Sequence, residues 1–292
     1  VELRKAGITV PIMVMNPDEE SFDAIIQHNL EPEIYSHRIL EKLEKAIKKN
    51  ILPKNKPVKI HIKLDTGMHR LGFMEDDLPL LIEKLKTNRM IYLQSVFSHL
   101  AASEDLSEDD FTRNQISLFE KMSLQITTEV DHPVLMHILN SAGIIRFPEA
   151  QYSMVRLGIS LYGIATLEGE QTRLEPVARL KSTISQIKNI AAGESVGYNR
   201  TYKADQPIRM AIVPIGYADG LSLSLSKGKG HLMAGDQLVP IIGKVCMDMC
   251  MLDITGIEAE EGDEVIIFGP ERPLQDLARE MGTIPYEVLA GL

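Results

Sequence analysis

From residue 10 to about residue 157, short apolar runs alternate with helix-patterned stretches at a spacing of about 25 residues, and few folds accommodate that rhythm. Residues 10–15, 33–36, 58–64, 91–98, 134–139 and 153–157 read as strands. Residues 19–30, 37–50, 78–86, 111–126 and 141–147 read as helices; the second of these carries Ile39, Leu40, Leu43 and Ile47 on one face. Strands separated by helices predict parallel βα units. Six strands suit an open doubly wound sheet, whereas a closed barrel of eight needs two more. Periodicity does not choose between them.

After about residue 166 the pattern changes. The runs 177–190, 210–213, 238–242, 250–254 and 264–268 read as strands, joined by Gly and Asp turns, with one helix at 274–281. This predicts a mostly β second domain, with domains at 1–168 and 169–292. A net charge of −10 argues against nucleic acid as a partner. No apolar run approaches the ~18 residues of a bilayer span, and the polar start lacks the apolar stretch of a signal peptide. Cys246 and Cys250 are too few for a disulfide framework or a four-ligand zinc site, so no metal is expected; they read as buried, reduced thiols of a cytoplasmic protein. Neither G-x-G-x-x-G nor the P-loop pattern occurs.

In an α/β barrel, chemistry lies at the C-terminal ends of the strands. The run His61 to Arg70 delivers Lys63, Asp65 and Arg70 there; the next strands deliver His99, then Asn140-Ser141, then Arg156 followed by Gly158 and Ile159. Each has an ordinary structural explanation, Asn140-Ser141 as a helix N-cap above all. The recurrence at successive strand ends is harder to explain structurally, as is an Arg inside the apolar run Met154 to Gly158. In the second domain, Pro214-Ile215-Gly216-Tyr217-Ala218-Asp219-Gly220 either packs a Tyr at a corner or presents a phenol as acid or base. The sulfur-rich run Gly243 to Met251 contains one anomaly, Asp248.

Five motifs, Lys63-Leu64-Asp65-Thr66-Gly67-Met68 with Arg70, Asn140-Ser141-Ala142, Val155-Arg156-Leu157-Gly158-Ile159 with Tyr162-Gly163, Pro214 to Gly220, and Cys246-Met247-Asp248, resemble the alanine racemases in order and spacing over essentially the whole chain. The resemblance implies a TIM-like α/β barrel that binds pyridoxal 5'-phosphate (PLP), followed by a β domain. It implies a cytoplasmic homodimer with a shared active site, making D-alanine for peptidoglycan by interconverting it with L-alanine. By the same resemblance, Ser141, Gly158 and Ile159 hold the phosphate and Arg156 faces the pyridine nitrogen. A guanidinium cannot accept a proton, so the ring nitrogen would stay unprotonated and the cofactor would be a weaker electron sink. Tyr217, from the partner copy, is one of two bases, positioned by His99. Arg70 contacts the cofactor's phenolic oxygen and the substrate carboxylate. Met247 and Asp248, also from the partner, narrow the site around a methyl side chain. Lys63 matches a lysine that is carbamylated in many members.

The family's PLP lysine lies in a segment like A-V-V-K-A-N-A-Y-G-H-G, and nothing in this sequence resembles it; Lys5 matches a later helix. A tyrosine that reaches the phosphate in family members lies beyond the position matching Leu292. The resemblance therefore leads to the expectation of an incomplete copy: a barrel whose first two strands are absent, a shortened C-terminus, and no activity in the chain as given. The alternatives are a non-catalytic PLP-fold scaffold and a racemase for another small amino acid.

Overall fold

The computed structural model describes residues 1–50, 57–167 and 169–292. The chain forms two compact units, Val1–Gly158 and Ile159–Leu292. The domain boundary expected at residue 168 falls on Glu168, outside the described residues.

In the first unit, β1 (Met13–Val14), β2 (Glu31–Ile34), β3 (Val58–Lys63), β4 (Ile91–Phe97) and β5 (Leu135–His137) form one sheet in the order β1-β2-β3-β4-β5. Every neighbouring pair is parallel. This sequential order is that of a (β/α) barrel wall, each strand beside its predecessor, and not the reversing order of a doubly wound sheet. The helices are α1 (Glu2–Lys5), α2 (Phe22–Gln27), α3 (His37–Lys49), α4 (Leu78–Thr87), α5 (Asp109–Thr127) and α6 (Ser141–Arg146). Sequence chemistry explains α3 well. Ser36 accepts from the Ile39 N–H at 3.3 Å, Lys48 and Lys49 sit in the last turn, and Ile39, Leu40, Leu43 and Ile47 are buried against the sheet's apolar core.

The sixth expected strand, 153–157, does not form. It runs alongside β5 and the residues that follow it through two main-chain bonds, Ser153 N–H to Met136 O and Arg156 N–H to Leu139 O, too few to make a strand. The described residues of this unit therefore hold five strands.

The second unit is built on an antiparallel sheet of seven strands, in the order β6-β14-β11-β12-β13-β10-β7. Its strands are β6 (Leu180–Thr183), β7 (Gln186–Ile190), β10 (Ile208–Val213), β11 (His231–Ala234), β12 (Gln237–Ile242), β13 (Cys250–Asp253) and β14 (Glu264–Phe268). A small hairpin joins β8 (Ser195–Val196) to β9 (Tyr202–Lys203), and α7 (Leu274–Met281) and α8 (Pro285–Ala290) follow. The single strand expected at 177–190 is two strands, interrupted where Ile184 and Ser185 turn to bond Asp263 and Ile212. Cys250 is buried, and burial pushes its thiol up to about 12. Cys246 is only partly buried, contrary to expectation, because it lies on a loop before the strand begins.

Candidate active site

Because the five strands are parallel, their C-terminal ends share one edge of the sheet. Lys63 ends β3, Phe97-Ser98-His99 leave β4, His137 ends β5, and Arg156 reaches the same place from the segment beside β5. The structure thus gathers Lys63, His99 and Arg156 as the sequence suggested.

Arg156 is the hub. Its Nη1 donates to His137 Nδ1 at 2.6 Å and to His137 O at 3.3 Å. Its Nη2 donates to Ser98 O at 2.6 Å, to Ile138 O at 3.1 Å and to His99 Nδ1 at 3.1 Å. The guanidinium lies 5.3 Å from the Phe97 ring centre, and that ring stacks on His137 at 5.0 Å. Among the described residues no carboxylate lies within salt-bridge distance of Arg156; strand-end carbonyls and two imidazoles solvate its charge. Desolvation lowers its pKa to about 10, so it stays a cation at neutral pH.

A guanidinium only donates, so both imidazoles accept from it through Nδ1 and carry their proton on Nε2. Burial, reinforced by Arg156, pushes His137 down to about 3. Burial, then Arg156, Arg70 and Lys63, push His99 down to about 4. Both histidines are neutral at pH 7, and His99 presents an N–H donor on its far nitrogen.

Lys63 is almost fully buried, with its ammonium 3.2 Å from Glu33 Oε1. Arg70 is exposed on the loop after β3. Asp65 Oδ1 shapes that loop by accepting the N–H groups of Gly67 and His69, each at 3.0 Å. Gly72, with φ +138, closes it where a Cβ would meet Asp65 N at 2.5 Å. Asn140 is an N-cap: its Oδ1 accepts from Gly143 N–H at 2.9 Å. Ser141 is buried and accepts from Gly158 N–H at 3.1 Å. Ile159, next in the chain, opens the second unit and is buried there.

In the second unit, Tyr217, Met247 and Asp248 are exposed together on two loops. Tyr217 N–H donates to Cys246 O at 3.0 Å and Ala218 N–H to Met247 O at 2.9 Å, so the loops are zipped side by side. Only glycine allows this approach, since a Cβ on Gly216 would lie 2.3 Å from Met247 O. Asp219 Oδ2 tightens the turn from below by accepting Gly216 N–H at 2.9 Å.

The buried polar residues Glu31, Glu33, His61, Ser95 and His137, on the strands of the first unit, were not singled out in the sequence. Their signal was present. Glu31 with Glu33, and His61 with Lys63, are two apart on strands otherwise buried on both faces.

Residues 1–166 match the family model described as alanine racemase, N-terminal domain, and residues 177–292 the one described as alanine racemase, C-terminal domain. The chain is 36% identical over 298 residues to the alanine racemase of Clostridium tetani, covering 99% of this chain and 76% of that protein. It is 38% identical over 301 residues to that of Treponema denticola, covering 99% and 78%. Its fold matches the solved alanine racemase of Clostridium difficile 630 with a TM-score of 0.90 at 31% identity, covering 100% of this chain and 76% of that one. It also matches the crystal structure of the Bartonella henselae alanine racemase with covalently bound pyridoxal phosphate, with a TM-score of 0.86 at 29% identity, covering 99% and 79%.

Proposed function

The chain belongs to the alanine racemase family, and on that premise we propose that it serves the PLP-dependent interconversion of L- and D-alanine by two opposed bases. The observation that carries this reading is Arg156, a cation fixed by five acceptors and, among the described residues, within salt-bridge distance of no carboxylate, at an edge where the exposed Arg70 adds positive charge. Such an edge fits a phosphate- and phenolate-bearing cofactor and a carboxylate substrate. PLP, when bound, would draw electrons from Cα and acidify its proton. The Ser141 hydroxyl with the backbone at Gly158 and Ile159 would receive the phosphate. Arg156 would face the ring nitrogen as a donor and leave it unprotonated.

The residues would then divide the proton work. Tyr217 of the partner copy removes or returns the proton on one face of Cα, and its exposure beside Met247 supports such sharing in a homodimer. A neutral phenol is a poor base, so a donor to its oxygen matters. His99, made an Nε2–H donor by Arg156, suits that task. Arg70 would hold the substrate carboxylate, and the partner's Met247 and Asp248 would leave room for a methyl group. D-alanine made this way would serve peptidoglycan in the cytoplasm. A scaffold role gives no reason for the zipped Tyr217–Met247 loops.

The lysine expected to hold PLP matches no residue here, so residues 1–292 alone are expected to turn over no alanine. The test is a chiral assay of the full-length protein with PLP, using L-alanine, D-alanine and serine. Equal conversion of both alanine enantiomers is expected, with serine much slower. No conversion of alanine, or a preference for a larger side chain, would overturn the reading.

A further inference from the structure

Four adjacent strands each place one polar side chain in a single buried row: Glu31 on β2, His61 on β3, Ser95 on β4 and His137 on β5. Such a layer in a barrel wall is ordinarily apolar. Here the row is continuous. His61 Nε2 is 3.0 Å from Glu31 Oε2, His61 Nδ1 is 2.6 Å from Ser95 Oγ, and Ser95 Oγ is 3.0 Å from His137 Nε2. A break in the β3–β4 register, between Ile60 and His61, sets Ser95 opposite His61.

The proton order along the row follows from its end. Arg156 can only donate, so His137 accepts at Nδ1 and donates from Nε2 to Ser95. Ser95 is completely buried, and among the described residues its own proton has one remaining neighbour, His61 Nδ1. His61 then accepts at Nδ1 and donates from Nε2 to Glu31. Every bond points from Arg156 towards the Glu31 carboxylate. The bond from His61 holds Glu31 below the usual carboxylate range, and Lys59 stands 3.7 Å from its other oxygen.

We propose that Glu31, His61, Ser95 and His137 are positioning residues: a one-way hydrogen-bond relay that holds the Arg156 guanidinium, and through it His99, in the donating orientation. A carboxylate at the far end favours this polarity, because the opposite polarity would aim acceptor against acceptor at Glu31. The effect on catalysis rests on the reaction proposed above; the proton order does not.

Nitrogen-15 NMR of the side chains of the full-length protein at pH 7, with the histidines assigned by single substitution, tests the order directly. His61, His99 and His137 are expected as neutral rings protonated on Nε2. A His137 ring protonated on Nδ1, or on both nitrogens, overturns the proposal. Ser95→Ala breaks the row at its only hydroxyl. It is expected to shift the His61 and His137 signals and lower kcat about tenfold with KM little changed, while Ser95→Thr restores both. Unchanged signals and kcat in Ser95→Ala also overturn it. The expected tautomers in a protein that converts no alanine would sink the reaction and leave the relay standing.

Discussion

The Lys63 ammonium lies 3.2 Å from Glu33 Oε1, with both side chains almost fully buried. The other Glu33 oxygen accepts the Asn16 N–H at 2.5 Å. The family resemblance made Lys63 a candidate for carbamylation, which would turn its cation into an anion. Beside Glu33 that anion would face a second buried negative charge, while the present ammonium is paired. Lys63 is therefore expected to remain an unmodified ammonium. Incubation with carbon-13 bicarbonate should give no carbamate signal at Lys63, and a signal there would sink the idea. Glu33→Ala should destabilise the fold by about 3–5 kcal/mol, the cost of leaving a buried charge unpaired, read from denaturant melts.

His137 and His99 make stability fall in mild acid. Arg156 faces the Nδ1 of each ring; Ser95 faces His137 Nε2 and Phe97 stacks on its ring. His137 is pushed down to about 3 and His99 to about 4, against about 6.5 for a free imidazole. Between those values the unfolded chain binds protons that the folded chain refuses, so stability drops as pH falls below about 6.5. At pH 5 the cost is about 2 kcal/mol for His137. Melts at pH 7, 6 and 5 check this, with His137→Gln expected to show the shallower decline. Parallel slopes for the two proteins would contradict it.

Gly216 is fixed by contact, not by backbone conformation. Its Cβ position lies within 2.4 Å of the Cys246 and Met247 carbonyl oxygens. Gly216→Ala should part the loops that carry Tyr217 and Met247, at a cost of about 1–3 kcal/mol. If those loops build the substrate site, kcat/KM for alanine in the full-length protein should fall further than the change in Tm implies. Wild-type kinetics in that variant would argue against a role for the loops.

The strand–helix rhythm was legible because each parallel strand is an apolar run and each helix repeats its apolar face, as α3 does with Ile39, Leu40, Leu43 and Ile47. Arg156 was legible as a charge inside an apolar run, and His99 as a polar residue at a strand end. The row from Glu31 to His137 was not. Glu31 with Glu33 and His61 with Lys63 are visible as polar residues two apart, but their joining into one row follows from partners 30 and 42 residues apart in sequence, which no local pattern reveals. The segment 153–157 read as a strand because its composition is apolar; whether it ladders depends on how many main-chain bonds it makes beside β5, which composition does not encode.

Tyr217→Phe tests the two-base assignment most sharply. The equilibrium between enantiomers of alanine has a constant of one, so loss of either base must slow both directions equally. Full-length Tyr217→Phe should lose racemisation by about a thousandfold or more, comparable to removal of a general base. Exchange is different, because a single base can remove and return the proton on its own face. In deuterium oxide, the enantiomer handled by the opposite base should still exchange its α-proton without inverting, and the other should not. The protein should also keep its bound PLP, because Tyr217 is proposed to act on Cα and not to anchor the cofactor. Exchange lost from both enantiomers with PLP retained would mean that Tyr217 shapes the site and is not one of its bases.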